Sequence, residues 1–431
     1  MKPRKMKDSG IPWIGEIPEG WRPTKIKYDF QVNVEKLAEN TADDFEFEYI
    51  DISSVNDLGK IISPPKIEFQ EAPSRARMVV RKGDVIISTV RTYLRAIAQI
   101  DESNRYVCST GFAVLRPHSD VDSRFAFYQM QSESIIQSIV SRSVGVSYPA
   151  ISPTELAATR ILHPDIEEQT RIAAHLDEKC GEIDRVIAAK ERQNELLRDQ
   201  RAAVIHEAVT KGLNPKAKFK ESGYEWIGKI PVGWGIRRLK TFARINPEIL
   251  LDNYVFTDAT RASFIPMENL RIGTHTITAI DYSEVKTGYV TFADGDILMA
   301  KVTPCFENGN IAIAQGLEQG IGFGSTEILV FRAMDVSRDY LFYYLQDSAF
   351  KEKAVSEMYG ASGLKRLSPS FIENCHYPYP SVPEQRQIAA HLDARCGEID
   401  RVMAANEGMV GKLKEYRASL IWEAVTGKVA V

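Results

Sequence analysis

Residues 168–189 read EQTRIAAHLDEKCGEIDRVIAA, and residues 384–405 read EQRQIAAHLDARCGEIDRVMAA. His391 lies 391 − 175 = 216 residues after His175, and the same register persists to the EAVT strings at Glu207 and Glu423. A second repeated string stands upstream of each copy. DSGIPWIGEIPEGW starts at Asp8 and ESGYEWIGKIPVGW at Glu221, holding Gly10/Gly223, Trp13/Trp226, Gly15/Gly228, Pro18/Pro231 and Trp21/Trp234. Self-similarity of this length and order is a duplication, so the rest of the chain has to be read twice.

Within the repeated strings the apolar spacing alternates between four and three residues. Leu176, Cys180, Ile183, Ile187, Lys190, Asn194, Leu197, Arg201, Val204 and Ala208 form one heptad seam. Leu392, Cys396, Ile399, Met403, Asn406, Val410, Leu413, Arg417, Leu420 and Ala424 form its counterpart. Each helix is expected to start after a proline, Pro164 or Pro383, with Asp165, Glu167 and Glu168 or Glu384 at the positive end of the helix dipole, and to end near Gly212 or Gly427. A helix of about 45 residues spans roughly 65 to 70 Å, longer than a small domain is wide, and needs a partner. Matching seams predict that the two helices pack against each other antiparallel, with the polar Lys190, Asn194 and Asn406 fixing register. Pairing between two molecules is the competing arrangement.

The segments between the anchors alternate like strands. VVRKGDVIISTV and YVTFADGDILMA each read as a strand, a Gly-Asp turn and another strand, with Gly83-Asp84 answering Gly295-Asp296. Ser109-Thr110 answers Ser325-Thr326, and Ser152-Pro153 answers Ser368-Pro369. The fold expected is therefore α+β, with two similar mixed α/β domains joined by two long helices in an antiparallel coiled coil. The boundaries expected are 1–163 and 213–379 for the domains, and 164–212 and 380–431 for the helices.

Composition limits the function. With 44% hydrophobic and 26% charged residues the chain is an ordinary globular one. It shows no apolar run of roughly 18 residues and no leader-like start, so a cytoplasmic protein without a membrane span is expected. Five cysteines without paired CxxC spacing suggest neither a disulfide framework nor a zinc site, and Cys180 and Cys396 read as small core residues. The net charge of −4 speaks against a protein that coats nucleic acid indiscriminately. Locally the balance reverses: Arg75, Arg77, Arg81, Lys82, Arg91 and Arg95 face only Asp84 between positions 75 and 95, a net of +6 − 1 = +5.

Taken together, the SGIPWIGEIPEGW lead at Ser9, its echo at Ser222, the Glu-Gln-x-x-Ile-Ala-x-x-Leu helix starts, the GDIL-type strands and the KVTPCFENGN segment at Lys301 resemble the specificity (S) subunits of type I restriction-modification systems. The likeness covers nearly the whole chain, in order and in duplicate. It implies two target recognition domains, each reading one half of a split, asymmetric site in double-stranded DNA, with the helices as spacer. It also implies partners that act in host defence. Two modification subunits would use S-adenosylmethionine for adenine N6 methylation, and restriction subunits would add translocation and cleavage with ATP and Mg. This chain would hold no cofactor or metal of its own.

Four loops carry the candidate DNA contacts. In the first domain Ser88, Thr89, Arg91, Tyr93 and Arg95 follow a strand and mix guanidinium, hydroxyl and aromatic groups, with Arg75 and Arg77 upstream; Arg can bond guanine O6 and N7 bidentately. The second domain answers with Lys301, Thr303, Phe306, Asn308 and Asn310, where an Asn amide suits adenine. A second pair of glycine-bearing loops offers Arg142, Ser143, Ser147 and Tyr148, and Tyr359, Ser362, Lys365 and Arg366, as phosphate contacts. A plain solvated surface is the bland alternative for each. Trp13, Trp21, Trp226 and Trp234 bracket compact turns and read as core anchors.

Catalytic signatures are poor. There is no GxxxxGK[ST] loop, and Asn246-Pro247-Glu248 lacks the second proline and aromatic of an adenine-methyltransferase NPP[YF] motif. Pro164-Asp165 followed by Asp177-Glu178-Lys179 mimics a nuclease pattern, but it lies on the expected helix and its repeat reads Asp393-Ala394-Arg395. His175 and His391 suit solvated or interhelical roles better than metal ligation. A peptide-binding scaffold and a self-sufficient restriction enzyme are the rival readings.

Overall fold

The computed structural model describes residues 4–101, 106–251, 254–361 and 363–431. The chain divides into two compact units, Met1–Glu191 with Asn406–Val431, and Arg192–Ala405. The division falls inside both long helices, Ile166–Lys211 and Val382–Val425, so each unit contains a globular part and one end of each helix. Among the described residues no helix is long and apolar enough to cross a membrane.

The globular part of the first unit is three-layered. Its central sheet has the antiparallel order Phe30–Val32, Phe112–Pro117, Val85–Ser88, Ile97–Gln99. Val85, Ile87, Ala113 and Leu115 face a helical layer containing Phe125, Tyr128, Ile135 and Leu176, whereas Ile86, Ala98, Phe112 and Val114 face Ile50, Met78 and Cys108 of a second sheet. A strand covered on both faces must be apolar at every position, which is why VIIS shows no alternation. The second sheet runs Lys66–Glu68, Glu46–Ile50, Tyr106–Ser109, Ala76–Val79, with one parallel pairing between Glu46–Ile50 and Tyr106–Ser109.

The second unit repeats this plan. Ala243–Ile245, Ile328–Ala333, Ile297–Ala300 and Ile311–Ile313 form its central sheet; Thr278–Asp281, Arg261–Ile265, Ile321–Gly324 and Val290–Ala293 form the outer one. The strands expected on either side of each Gly-Asp turn are present, but they do not pair with each other. Ala76–Val79 lies in the outer sheet and Val85–Ser88 in the central one, so Gly83, at φ 91°, turns the chain between sheets. The cause is Asp84. Its buried carboxylate accepts the Arg81 N–H at 2.9 Å and both Nε and Nη2 of Arg116 at 2.9 and 2.8 Å, and Asp296 does the same for Ala293 and Arg332.

The repeated strings meet in each unit. Asp165 caps the first long helix by accepting the Glu168 N–H at 2.8 Å. Gln169, 1% exposed, then accepts the Asp122 N–H at 2.8 Å and donates to the Pro164 carbonyl at 2.9 Å, latching the helix to the domain; Gln385 makes the matching bonds to Ser337 and Pro380. The Trp21 indole donates to Glu168 at 2.8 Å and that of Trp234 to Glu384 at 3.1 Å. Gly427, at φ 71°, closes the second long helix against Pro18 and Trp21, where a Cβ would come within 2.4 Å of Pro18. Trp21 and Trp234 are thus core anchors, with Trp226 half-buried beside the core. Trp13 is not: flanked by the inward Ile11 and Ile14 in a tight turn, its ring is thrown outward and is 52% exposed.

The helices pair antiparallel within one chain. In the first unit Arg417 meets Asp184 at 2.9 Å around buried Leu176, Cys180, Ile183 and Ile187. In the second, Arg201 meets Asp400 at 3.0 Å and Asn194 donates to the Met403 carbonyl at 3.2 Å, around Leu392, Cys396 and Ile399. Burial pushes the Cys180 thiol up to about 11, in keeping with a core residue.

Candidate nucleic-acid interface

In the first unit the two candidate loops form one surface. The Arg91 N–H donates to the Pro149 carbonyl at 2.7 Å, the Ile151 N–H to the Thr89 carbonyl at 2.9 Å, and the Thr92 and Ser143 hydroxyls share a hydrogen bond of 2.9 Å. Arg91 sits in the left-handed region at φ 51°, which turns its side chain out of the strand line and over the Tyr148 ring, 4.4 Å from the centroid. Tyr93, Ser147 and Tyr148 are exposed around it, together with Leu94, Val144 and Val146. The result is a guanidinium held against an aromatic plane and ringed by hydroxyls and apolar tips, all presented by a main-chain frame.

Other candidates in this unit are committed to the frame itself. Ser88 and Thr89 are buried, donating to the Val90 carbonyl at 2.6 Å and the Gly111 carbonyl at 3.0 Å. The Arg142 guanidinium is spent on the Ser138 and Glu155 carbonyls and the Thr159 hydroxyl, and the Ser143 hydroxyl on the Ile139 carbonyl. The hydroxyls of Ser88, Thr89 and Ser143 and most donors of the Arg142 guanidinium are thus turned into the frame rather than outward. Arg95 is exposed but forks onto Glu133 at 2.7 and 3.1 Å. Arg77 stacks on Phe69 at 4.9 Å and donates to the Ala76 carbonyl, and Arg81 pairs with Glu35 at 2.8 Å. The local excess of +5 is therefore partly neutralised, leaving the exposed Arg75 and Lys82 and the half-buried Arg91 without an ion-pair partner among the described residues.

The second unit presents the same frame with different side chains. The Thr303 N–H donates to the Lys365 carbonyl at 3.0 Å and the Leu367 N–H to the Lys301 carbonyl at 2.8 Å, repeating the Arg91–Pro149 and Ile151–Thr89 bonds. Here the partner loop is a hairpin, Tyr359–Ala361 against Leu364–Arg366, and Gly360 at φ 139° lies too close to the Leu364 carbonyl for any Cβ. Exposed on it are Tyr359, Leu364, Lys365 and Arg366, with Asn308 on the facing loop; Lys301 is half-buried. Arg366 forks onto Glu327, and its hydrogen bond holds the Glu327 carboxyl below the usual carboxylate range. The Thr303 hydroxyl is spent on Gly363 and Lys365, Phe306 is 2% exposed in the core, and Asn310 is buried. Their burial follows from the loop coiling on itself, with the Phe306 N–H donating to Val302 and the Asn308 N–H to Pro304. Ser362 lies outside the described residues.

Sequence reading passed over the buttresses Glu133 and Glu327 and the apolar tips Val146 and Leu364. A lone acid or valine in a loop carries no signal until its neighbour in space is known. The motifs weighed for catalysis have structural uses. Asn246, at φ 46°, accepts the Val330 N–H at 3.0 Å, as Asn33 does for Val114, and Asp177 accepts the Tyr128 hydroxyl at 2.8 Å. Among the described residues no cluster of His, Cys, Asp and Glu is arranged to hold a metal ion.

A family model described as the type I restriction modification DNA specificity domain matches residues 18–196 and 231–400. The Type I restriction enzyme EcoAI specificity subunit of Escherichia coli is 34% identical over 52% of this chain, and the match spans 37% of that relative's length. The EcoEI specificity subunit, also of Escherichia coli, is 33% identical over 49% of this chain and 34% of its own, so the matched region is about a third of either relative. The Putative type I restriction enzyme MjaX specificity subunit of Methanocaldococcus jannaschii is 24% identical over 97% of this chain and 96% of its own. Among solved structures, a chain from a study of complex assembly and conformational transition of the type I R-M system shares the fold, with a TM-score of 0.66 over 96% of this chain and 99% of that one at 24% identity.

Proposed function

Because this chain belongs to the type I restriction modification DNA specificity domain family, we propose that it reads a bipartite, asymmetric site in double-stranded DNA, one unit per half-site. The Arg91–Tyr148 surface contacts one half and the Asn308–Lys365 surface the other. The two long helices set the gap between halves and dock two modification subunits, to which restriction and translocase subunits add. The chemistry belongs to those partners: S-adenosylmethionine would be bound by the modification subunits, and ATP and Mg by the restriction subunits.

One observation carries the reading. The two units hold their loops with equivalent main-chain hydrogen bonds while presenting unlike side chains, Arg91 and Tyr148 in one and Asn308, Lys365 and Arg366 in the other. Unlike readers on a common frame are what an asymmetric site demands, because base edges are told apart by the donors and acceptors set against them.

The test is binding of the full chain to its duplex, with the motif first obtained from the methylome of a host expressing the chain beside its modification subunit. Affinity falls steeply with salt and is lost when either half is changed. Removing one heptad from each long helix, 190–196 and the facing turns of its partner, shifts the tolerated gap. Binding indifferent to sequence, or a gap that stays fixed, refutes the reading.

A further inference from the structure

Each unit contains one arginine of the helix pair that leaves the seam and reaches the domain. In the first unit Arg417 is 6% exposed. Its Nε donates to Asp184 of the other long helix at 2.9 Å, its Nη1 to the Gln131 side-chain carbonyl at 3.2 Å and its Nη2 to the Leu58 main-chain carbonyl at 3.4 Å. Lys414, three residues earlier, pairs with Asp57 at 2.8 Å. In the second unit Arg201 donates through Nε to Asp400 at 3.0 Å and through Nη1 to the Gln346 carbonyl at 3.1 Å. The arginines and aspartates sit at the repeat register, 417 − 201 = 216 and 400 − 184 = 216, and the glutamines at 346 − 131 = 215.

From each glutamine a short path leads to the recognition loop. Gln131 ends the helix Ser123–Gln131, and Glu133, two residues on, takes both donors of Arg95 at the close of the 88–95 loop. A cleft of about 530 Å³ is lined by Arg417, Gln131, Glu133 and Arg95 together. In the second unit the helix Ser348–Ser356 begins just after Gln346, and its Lys351 donates to the Glu307 carbonyl at 3.1 Å, inside the 301–310 loop. Apolar packing between helix and domain is non-directional and tolerates sliding. A planar guanidinium with its donors divided between two helices and a loop fixes rotation as well as distance.

We propose that Arg417 and Arg201 are positioning residues for DNA reading: each sets the angle at which the helix pair presents its recognition loop, so that discrimination at one half-site depends on a residue that does not touch DNA. This rests on the proposed reading that those loops contact bases.

The test uses the full chain carrying Arg417→Met, Arg201→Met or Gln131→Leu. The last keeps the Arg417 bonds to Asp184 and to the Leu58 carbonyl and cuts only the tie to the helix Ser123–Gln131, on the path to the 88–95 loop. Base preference is measured position by position in each half-site, with thermal unfolding alongside. Arg417→Met and Gln131→Leu are expected to blunt discrimination roughly three- to thirty-fold in the half read by the first unit alone, and Arg201→Met in the other half. Variants that lower the melting temperature or the active fraction, yet leave the base preferences of the bound fraction unchanged, would show a merely structural role and overturn the proposal. If Arg417→Met does not fold, Gln131→Leu decides alone. Arg91→Ala separates the two ideas: no change in base preference means the loop reading has failed, whereas a change there without one in Gln131→Leu means that only the positioning has.

Discussion

Replacing Arg91 with lysine isolates what its shape does from what its charge does. The loop trace does not depend on this side chain: the Arg91 N–H to Pro149 bond of 2.7 Å and the Val90–Ala150 bridge are main-chain contacts, and lysine tolerates the left-handed φ of 51° as well as arginine does. What changes is the fork. A lysine keeps a positive charge near Tyr148 but cannot make two parallel bonds to guanine O6 and N7. A good bidentate pair is worth about 1 to 3 kcal/mol of discrimination against the wrong base, or roughly 5- to 150-fold. Arg91→Lys is therefore expected to lose that preference at one position of one half-site while retaining a salt dependence close to that of the native chain; Arg91→Ala loses both the preference and part of the salt slope. Fluorescence anisotropy on the cognate duplex and on singly substituted duplexes, at three salt concentrations, measures both quantities. If the lysine variant discriminates like the native chain, or if both half-sites lose discrimination equally, the assignment of Arg91 to direct reading by one unit is wrong.

Glu168→Ala leaves the buried Trp21 indole without its acceptor and is expected to cost about 1 to 3 kcal/mol in chemical unfolding, with Glu168→Gln restoring much of it. Gly59→Ala would set a Cβ 2.3 Å from Gln131 Nε2 at a φ of +81°; a loss of about 1 to 3 kcal/mol and altered reading of the first half-site only are expected. His206 donates through Nδ1 to the buried Asp347 carboxylate at 2.8 Å, and that bond raises its pKa. A raised folded-state value means that the stabilisation is fully present below the unfolded pKa of about 6.5 and is lost as pH climbs through the folded one. Unfolding midpoints measured across that interval should fall with pH for the native chain and flatten for His206→Asn; parallel slopes would contradict the pairing.

The architecture was legible because its determinants repeat in identity. Heptad residues such as Leu176 and Leu392, the helix-start glutamines Gln169 and Gln385 and the tryptophans Trp21 and Trp234 recur at fixed register, and each occupies the same environment in both units. What the sequence left open is which of two sheets a strand joins. Nothing in Gly83-Asp84 distinguishes a hairpin from a crossing, because the deciding contact comes from Arg116. The sequence went astray at Trp13, whose neighbours in a four-residue turn take the inward positions.

The recognition loops were the least legible part, and the reason lies in how they are held. Main-chain atoms supply the bonds common to both frames, from Arg91 to Pro149 and from Thr303 to Lys365, from Ile151 to Thr89 and from Leu367 to Lys301. A main-chain bond constrains no side chain, so it leaves no residue signature by which the two loops could be aligned. The side-chain bonds that finish each loop are private to it: Thr92 with Ser143 in one, and Thr303 with Gly363 and Arg366 with Glu327 in the other. A frame held by main-chain bonds lets the outward residues differ, Arg91 and Tyr148 on one and Asn308, Lys365 and Arg366 on the other, without loss of those bonds. The feature that conceals the site from sequence reading is thus the one that allows two copies of one fold to present different side chains, as the proposed reading of two unlike half-sites requires.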